Sequence, residues 1–403
     1  MTIQRINEEK AEDTYERDRL FEQAGPGDLL KQEQHEFNDP LLLSLLIPAY
    51  ETPPEYLRML LDSILVQSYG RFEIILADAS ESSIVEDVTK EYDDPRLVYI
   101  KLDKNEGISL NTNKALEKAS GDAVVFIDHD DFLEPDALYC LALAFDQGAS
   151  LVYTDEDKFT DGRYYRPHRK PDFNYDLLLS NNYISHLFAA KTALVRSLGG
   201  LRKEYDGAQD FDLILRCAHE IMRQTRFYEG EFTGVYTAVR HVPRVLYHWR
   251  VHSASTAENP SAKSYAYEAG RRAVADHMKQ RGIKCSVRHT DHLGFYRIAY
   301  GPLPEKYRDL KFRIPKNSKL YKDRTLMKKT GGIFQRPEVK TIVYKTVGSR
   351  GRVMDGPYAG MKWWDSGVMH RAAVSQDLEE GDYISTCSHK GRSKGLTVYL
   401  PEL

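Results

Sequence analysis

Short apolar runs alternate with amphipathic segments from Leu41 to Tyr153, and this alternation constrains the fold more than any other feature. The runs are LLLSLLI, FEIILA, RLVYIKL, AVVFI and SLVYT, and they contain few polar positions. Such runs are typical of parallel strands that are covered by helices on both faces. The segments between them have helical spacing, and right-handed crossovers would join each strand to the next. The sequence therefore predicts a doubly wound α/β fold with a mostly parallel sheet and flanking helices.

The rest of the chain divides into regions of different character. Residues 1–40 carry 11 acidic and 5 basic side chains and have the pattern of one or two helices, which predicts an N-terminal helical extension. Residues 41–300 form the predicted main domain, although the alternation weakens after residue 153. Residues 301–403 carry 20 basic and 11 acidic side chains, and their poor periodicity indicates no particular fold. We therefore predict one main domain between two extra regions.

The cysteine content and the hydropathy of the chain indicate the cellular compartment. The four cysteines are far apart and form no CxxC pair, which argues against disulfides and against a structural zinc site. The first 30 residues contain no apolar leader, and no apolar stretch approaches the ~20 residues of a membrane span. We therefore expect a soluble, cytoplasmic protein. The basic region 301–403 is compatible with peripheral association at an anionic membrane surface, and the alternative is a solvated basic surface; we expect no nucleic-acid partner.

Polar side chains follow three of the predicted strands where each strand ends. Ala49–Glu51 ends the first, Asp78 ends the second, and Asp128, Asp130 and Asp131 follow the fourth. Ligands of open parallel sheets bind at this edge. Neither GxGxxG after the first strand nor GxxxxGK[ST] is present, which argues against a dinucleotide-binding dehydrogenase and a P-loop NTPase. The edge therefore predicts a ligand site of a different kind.

Clustered carboxylates predict a divalent cation at this edge. Carboxylates face a diphosphate only through a cation, and Mg²⁺ and Mn²⁺ take oxygen ligands of this type. Alternation along an extended segment places Asp128 and Asp130 on the same side. The alternative is that Asp130 or Asp131 caps the helix that begins near Pro135. That alternative does not explain three carboxylates together.

Several motifs occur in a characteristic order: LSLLIPAYE, a strand ending in Asp78, NEGISLNTNKAL, FIDHDDFLEPDAL and GAQDFDLILR. Together they resemble the inverting family 2 glycosyltransferases of GT-A fold, and the likeness covers about residues 41–256. The DHDD, TDEDK and GAQDFDL combination is similar to bacterial enzymes that build surface polysaccharides, including rhamnosyltransferases. The resemblance implies a nucleotide-binding half at 41–153 and an acceptor half at 154–300.

The resemblance assigns nucleotide and metal roles position by position. Asp78 matches the carboxylate that accepts a hydrogen bond from N3–H of uracil or thymine, although a turn-forming role is the alternative. Asp128 is expected at the ribose and Asp130 at the cation. Thr112 stands where the family often has Arg, which puts a phosphate contact from that position in doubt. The full set of implied nucleotide contacts is Pro48, Ala49, Tyr50, Glu51, Asp78, Asn105, Gly107, Asn113, Asp128 and His129.

Asp210 matches the catalytic base of the family, in the segment Gln209–Leu213. The usual Glu before this Asp is Gln209 here, which loses a charge but leaves the base in place. A carboxylate within hydrogen-bond reach of the acceptor hydroxyl accelerates its attack by roughly 10²–10⁴. Asp212 is the competing candidate, but two residues along a helix point it about 200° away. The alternative for Asp210 is a helix N-cap.

A third set of residues is expected around the acceptor and the phosphates. The carboxylates of TDEDK are candidates for sugar hydroxyls, and the alternative is a solvated acidic loop. His248 and His252 are candidate metal ligands, although a lone His is more often structural. Arg250 is a candidate for bidentate phosphate binding. Acceptor or phosphate contacts are expected for Asp155, Asp157, His186, Gln209, Trp249 and Arg250.

These features predict an inverting, metal-dependent glycosyltransferase that uses Mn²⁺ or Mg²⁺. The expected donor is a UDP-sugar or dTDP-rhamnose, and the expected acceptor is a growing glycan or lipid-linked glycan of the cell surface. A nucleotidyltransferase is the first alternative, but IPAYETPPE lacks the Gly-rich, Arg- or Lys-bearing phosphate loop of that class. A non-catalytic glycan- or nucleotide-binding module is the second.

Overall fold

Residues 14–227, 233–251, 264–302 and 331–336 are described by the computed structural model, together with five short strands further along the chain. Those strands are 339–344, 346–347, 353–355, 385–387 and 396–400. Within these ranges the predicted α/β fold is confirmed: helices cover both faces of a large sheet. His252, a predicted metal ligand, lies outside the described residues.

The central sheet has nine strands among the described residues. They are β1 (Leu43–Ala49), β2 (Phe72–Asp78), β3 (Leu97–Lys101), β4 (Ala123–Phe126), β5 (Phe132–Leu133), β6 (Leu151–Thr160), β7 (Arg163–His168), β8 (Phe188–Lys191) and β9 (Val239–Arg250). Their order is β3-β2-β1-β4-β8-β6-β9-β5, and β7 pairs with β6. The block β3-β2-β1-β4 is parallel, as predicted.

The second half of the sheet is mixed. Strand β8 runs antiparallel to both β4 and β6, while β6 and β9 are parallel and β5 is antiparallel to β9. The run SLVYT is therefore a strand, as expected, but β8 separates it from β4. Apolar runs indicate strands without indicating neighbours, and the HLFAA strand enters the sheet between two strands that precede it in sequence.

Helices surround the sheet on both faces. They are α1 (residues 14–22), α2 (Pro26–Glu33), α3 (Pro54–Leu65), α4 (Ile84–Thr89), α5 (Ile108–Lys118), α6 (Ala137–Asp146), α7 (Tyr175–Ser180), α8 (Thr192–Ser197), α9 (Gln209–Gln224), α10 (Thr233–Ala238) and α11 (Ser264–Gln280). Short 3-10 helices occupy Lys203–Tyr205 and Gly331–Gln335. Within the described residues, no helix has the length and apolar character needed to cross a membrane.

Two apolar clusters lie on opposite faces of the sheet. Leu45 and Ile47 of β1 pack with α3 and α6, whereas Leu46 of the same strand packs with α5 and α9. All three side chains are fully buried. Burial of each stabilises the fold by roughly 1.5–3 kcal/mol, so a strand that is apolar on both faces requires helices on both.

Small strand pairs follow the main sheet. They are β10 (Cys285–His289) with β11 (Tyr296–Tyr300), β12 (Val339–Tyr344) with β16 (Leu396–Leu400), β15 (Ser385–Cys387) with β16, and β13 (Thr346–Val347) with β14 (Val353–Asp355). Arg336 is fully buried and pairs with Asp176 of α7, and it also donates to the hydroxyl of Tyr300 at 3.2 Å. The basic C-terminal region is therefore attached to α7 by a buried ion pair.

Candidate active site

The predicted strand ends meet at one edge of the sheet. Ala49 of β1 is in register with Asp78 of β2, and Leu46 of β1 is in register with Phe126 of β4. Asp128 therefore follows β4 at the edge where β1 and β2 end. The parallel register brings the three polar signals together, as the sequence predicted.

Asp78 is fully buried and its carboxylate is occupied within the protein. One oxygen accepts from the amide of Ser80 at 2.8 Å. The other accepts from the Tyr99 hydroxyl at 2.8 Å and from the ammonium of Lys101 at 3.0 Å. These contacts fit the turn-forming alternative at the end of β2. The contact to a nucleotide base stays a prediction.

Tyr50 and Glu51 follow β1 directly and lie at the exposed side of this edge. Glu51 has a left-handed backbone (φ 47°), and its carboxylate accepts from the Ser82 hydroxyl at 2.6 Å. Hydrogen bonds from Ser82 lower the pKa of Glu51. Tyr50 is 43% exposed, so its ring is available to a ligand. The hydroxyl of Thr52 lies 2.9 Å from Nδ1 of His129. This contact joins the end of β1 to residues Asp128–Asp131, which we call the carboxylate loop.

Asp131 anchors the carboxylate loop from below. It is fully buried, and it accepts from the Tyr247 hydroxyl at 2.5 Å and from the Arg250 amide at 2.7 Å. Burial, with the charges of Asp130 and Asp128, holds the pKa of Asp131 well above its usual range. The capping alternative is wrong for Asp131, because its carboxylate binds β9 and α6 begins only at Ala137.

Asp128 and Asp130 occupy the outer side of the loop, where both are partly exposed. The side chain of Asp128 is 36% exposed, and its carboxylate lies 3.5 Å from Nε2 of His186. Burial raises the pKa of Asp128, Asp130 and Asp210 raise it further, and His186 opposes them. Negative charge is therefore concentrated where a cation would be favourable.

A small cavity joins this loop to the start of α9. Its polar lining combines Asp128 and His186 with Gln209 and Asp210, and Thr112 contributes from α5. The remaining lining residues are Leu46, Pro48, Ile108, Phe126, Ile127, Phe188 and Leu201. Residues predicted for the nucleotide, the acceptor and the base thus face one space, although they are up to 162 positions apart in sequence.

Asp210 lies in the first turn of α9, where a carboxylate is favoured by the helix dipole. One of its oxygens accepts from Nδ2 of Asn182 at 2.7 Å. Asp212 is buried instead, and Nε of Arg202 and Nε of Arg216 donate to it at 3.0 and 2.9 Å. The predicted divergence of the two aspartates is confirmed, and Asp212 is held by structural ion pairs.

The residues of NEGISLNTN lie mainly beside the cavity and hold backbone in place. Asn105 accepts from the amide of Gly107 at 3.0 Å. Gly107 has φ 99°, and a Cβ atom there would lie 2.5 Å from Oδ2 of Asp206. The amide group of Asn113 bonds both backbone groups of Leu201, at 2.8 and 2.9 Å. These contacts connect α5 to the segment before α9, and the predicted nucleotide contacts stay predictions.

The segment TDEDK is not an acidic loop. All five residues belong to β6, and the carboxylates of Asp155, Glu156 and Asp157 are buried. Asp155 accepts from the amide of Lys170 at 2.9 Å and lies 2.8 Å from Nε2 of His241. The solvated-loop alternative is wrong because buried basic partners balance these charges. The geometry also gives no support to sugar contacts from Asp155 or Asp157.

His248 lies in a buried network rather than at the carboxylate loop surface. Its Nδ1 is 2.6 Å from Asp157, and its Nε2 is 3.0 Å from Glu134. Burial lowers the pKa of His248, but the two carboxylates outweigh burial and raise it. Both ring nitrogens are engaged, so this arrangement does not support the predicted metal role of His248.

The side chains of Trp249 and Arg250 both make contacts within the protein. The ammonium of Lys158 lies 5.2 Å above the Trp249 ring. The guanidinium of Arg250 lies 4.4 Å above the ring of Tyr56, and its Nε donates to the carbonyl of Asp130 at 2.7 Å. Arg250 therefore holds the carboxylate loop, and its predicted contact to phosphate stays a prediction.

Sequence reasoning missed several buried polar residues that support the site. Tyr247, Glu134 and His241 lie in or beside apolar segments and gave no separate signal. Lys170 lies in a stretch rich in basic and aromatic residues, DGRYYRPHRKPDFNYD, and gave no signal of its own. The structural role of each residue becomes clear only from its hydrogen-bond partner. The sequence alone does not show whether a polar residue in a strand is buried.

The residues of the loop fit a divalent cation. Asp128 and Asp130 offer oxygen ligands, and Mg²⁺ is usually held by one or two carboxylates together with substrate phosphates. Among the residues that the structure describes, no group of three or more His, Cys, Asp or Glu side chains is arranged to hold a metal unaided. A cation here would depend on oxygens from a bound substrate.

Comparisons with known proteins identify the family of one part of this chain. The family model "Glycosyl transferase family 2" matches residues 44–198. An uncharacterized protein y4gI of Sinorhizobium fredii is 37% identical over 68% of this chain and 28% of its own length. The O-antigen biosynthesis protein RfbC of Myxococcus xanthus is 30% identical over 64% of this chain and 20% of its own length. The chain thus spans less than a third of either relative.

A solved structure, S. aureus TarS 1-349 in complex with UDP-GlcNAc, has a TM-score of 0.46 and 18% identity. The match covers 59% of this chain and 66% of that one. The family match includes the strand ends at Asp78 and Asp128, which are the centre of the site. The chain contains a family 2 glycosyltransferase domain at residues 44–198.

Proposed function

We propose that this protein is an inverting glycosyltransferase that moves a sugar from a nucleoside diphosphate to a growing glycan. One observation supports this most: Asp128, beside the metal-binding candidate Asp130, shares a cavity with Asp210. A transferase needs a carboxylate-rich site for the donor and a separate base for the acceptor. The presence of Asp128 and Asp210 in the lining of one cavity supports this assignment.

Asp210 is the base in this proposal. Asn182 binds one of its oxygens and fixes the carboxylate orientation, which leaves the other oxygen for the proton of the acceptor hydroxyl. Attack from the Asp210 side, opposite the leaving nucleotide, inverts the anomeric centre in one displacement. A positioned base of this kind contributes roughly 10²–10⁴ in rate.

Asp130, with Asp128 beside it, would hold Mn²⁺ or Mg²⁺. When bound, the cation neutralises charge on the departing diphosphate. Arg250 and Tyr247 keep the loop in place through Asp130 and Asp131. The protein's own contribution is therefore a preorganised pair of carboxylates, whose position does not have to be created during the reaction.

The donor proposed is a UDP-sugar or dTDP-rhamnose, and the acceptor is a glycan or lipid-linked glycan. The name of RfbC, an O-antigen biosynthesis protein, supports a role in cell-surface polysaccharide synthesis. The excess of basic residues in 301–403 supports peripheral association of a cytoplasmic enzyme with the inner face of the membrane. Sedimentation with anionic and neutral vesicles tests this last point, and equal binding to both would contradict it.

The decisive assay measures UDP or dTDP release from nucleotide sugars with Mn²⁺ and with EDTA. We expect release that requires Mn²⁺ and acceptor glycan. Asp210→Asn should lower kcat by at least roughly 100-fold while UDP binding stays unchanged. Asp93→Asn is the matched control, because Asp93 is exposed in the connection to β3 at the opposite edge of the sheet.

Other outcomes would identify a different activity. Full transfer by Asp210→Asn would show that Asp210 is not the base. Pyrophosphate release from a nucleoside triphosphate and a sugar phosphate would indicate a nucleotidyltransferase. Nucleotide binding without release of a nucleoside diphosphate from any donor would indicate a non-catalytic binding module.

A further inference from the structure

Helix α1 and Gln23, which follows it, contribute three side chains that bond to buried carboxylates of the main domain. Arg19 is 7% exposed, and its guanidinium donates to Oε1 of Glu134 at 2.6 Å. Nε2 of Gln23 donates to the same oxygen at 2.7 Å, and the hydroxyl of Tyr15 donates to Oδ2 of Asp157 at 2.7 Å. These bonds join positions more than 100 residues apart in sequence. The helix is therefore connected to the core by polar groups as well as by surface contact.

The two carboxylates that α1 binds are the same two that hold His248. The imidazole lies between Asp157 and Glu134, and its side chain is 1% exposed. Arg19 also stacks over the ring of Tyr164 at 3.4 Å, which excludes water from that side. Removing Arg19 would leave two buried carboxylates with one imidazole as their only basic neighbour in this network. Buried carboxylates in that state attract water or move.

The network reaches the carboxylate loop from both sides. Glu134 follows Asp131 by three positions, so it fixes the exit of the loop through β5. His248 pairs with Phe132 of β5, and its strand β9 also carries the loop anchors Tyr247 and Arg250. A shift at His248 would therefore be transmitted to Asp131 through the adjacent residue of the same strand.

We infer that α1 is a working part of the transferase, in which Arg19 and Tyr15 position the loop Asp128–Asp131 through Glu134, Asp157 and His248. This inference rests on the proposed function, because that proposal makes the loop the donor site. Helix α1 lies outside the family match at residues 44–198. The helix is thus an addition to the family domain that supports the loop from a buried side.

Arg19→Ala tests the inference, with Arg17→Ala as the matched control. Arg17 is on the same helix, but its side chain is 69% exposed and pairs with the neighbouring Asp18. For Arg19→Ala we expect the KM for the nucleotide sugar and the Kd for UDP with Mn²⁺ to rise by roughly 10-fold. We expect Arg17→Ala to match the wild type. Assays at least about 15 °C below each melting temperature keep every variant folded.

Two milder variants separate positioning from simple loss of stability. Arg19→Lys keeps the charge and should recover part of the loss in UDP affinity. Tyr15→Phe removes one hydrogen bond to Asp157 and should raise the KM by a smaller factor than Arg19→Ala. If Arg19→Ala lowers the melting temperature but leaves KM and Kd unchanged, α1 only stabilises the fold and the inference is wrong.

Hydrogen–deuterium exchange of the peptide 128–134 provides a readout that does not depend on activity. Exchange of this peptide should accelerate in Arg19→Ala and not in Arg17→Ala. If the wild type binds no nucleotide but the exchange difference is present, the positioning of the loop stands and the proposed function fails. If the exchange of all variants is equal, the inference fails even when the wild type is an active transferase.

Discussion

Replacement of Lys170 by Met is the sharpest test of how the interior supports the site. The side chain of Lys170 is fully buried between β6 and the segment that carries His186. Its ammonium donates to Oε2 of Glu156 at 3.1 Å, to the carbonyl of Ile184 at 2.6 Å and to the carbonyl of His186. Glu156 in turn accepts from the His186 amide at 3.0 Å. Lys170→Met removes the cation and leaves this carboxylate buried.

The cost follows from the general behaviour of buried ion pairs, in which burial lowers the pKa of Lys170 as well. Burial opposes ionisation of Glu156, but the charge of Lys170 and the contact with His168 lower its pKa from 4.5 to about 2. Breaking a buried ion pair by removing one partner costs about 3–5 kcal/mol. We therefore expect the free energy of unfolding of Lys170→Met to fall by about 3–5 kcal/mol at pH 7.

The pH dependence of this loss has a definite sign. The pKa of Glu156 is lower in the folded protein than in the unfolded chain, so its stabilising contribution is present above pH 4.5 and is lost as the pH falls toward 2. The gap in stability between wild type and Lys170→Met should therefore narrow in this range. Urea unfolding followed by circular dichroism at several pH values measures it.

Controls distinguish a buried charge from a lost side chain. Lys114→Met removes the cation of an exposed pair with Glu117 and should cost no more than about 0.5 kcal/mol. The double variant Lys170→Met with Glu156→Gln removes both charges and should recover at least half of the loss. A cost below about 1 kcal/mol for Lys170→Met, or no recovery in the double variant, would refute this reasoning.

Two further substitutions probe the supports of α9 and α5. Asp212→Ala should cost about 3–5 kcal/mol in urea unfolding, because it leaves the buried Arg216 and the partly exposed Arg202 without their carboxylate, whereas Asp210→Asn should stay near wild type in stability. Gly107→Ala should lower stability by about 1–3 kcal/mol, because φ is 99° there and the new Cβ would meet Asp206. Gly27→Ala, where a Cβ meets nothing within 4 Å, is its control in a thermal melt, and equal melting temperatures for the two variants would contradict the argument.

The parallel half of the sheet was predictable because its strands are apolar on both faces. Leu45, Leu46 and Ile47 could be covered only by helices on both sides, and this requirement fixes strands, helices and the edge at which Asp78 and Asp128 meet. The position of β8 could not be predicted in the same way. Its pattern indicates a strand, but insertion between β4 and β6 depends on contacts with β4 over 62–68 residues and with β6 over 35–39 residues.

The candidate site could be predicted from the sequence where a carboxylate stands at the end of a strand or the start of a helix. Asp128 and Asp210 share a cavity because one follows a strand and the other begins a helix, and both positions carry sequence signals. Asp131, Asp157 and His248 are residue types that could equally bind a metal or a substrate, but all three are buried. Hydrogen-bond partners decide whether such a residue is structural or binds a ligand. A carboxylate that accepts bonds from Tyr, His or Arg in the interior is structural, and nothing local in the sequence identifies those partners.

These pairings imply that the functional unit is larger than the matched family region. Residues 44–198 contain Asp78 and the carboxylate loop, but Asp210 lies beyond them on α9. The loop anchors on β9 also lie beyond them, and the buried Asp131 needs its bonds to β9 because burial and the nearby aspartate charges raise its pKa. Without β9 those charges would repel one another with no donors between them, and the loop would open. A piece ending near residue 198 would therefore keep the family motifs and lose both the proposed base Asp210 and the geometry of the loop, so we expect the shortest active piece to include β9.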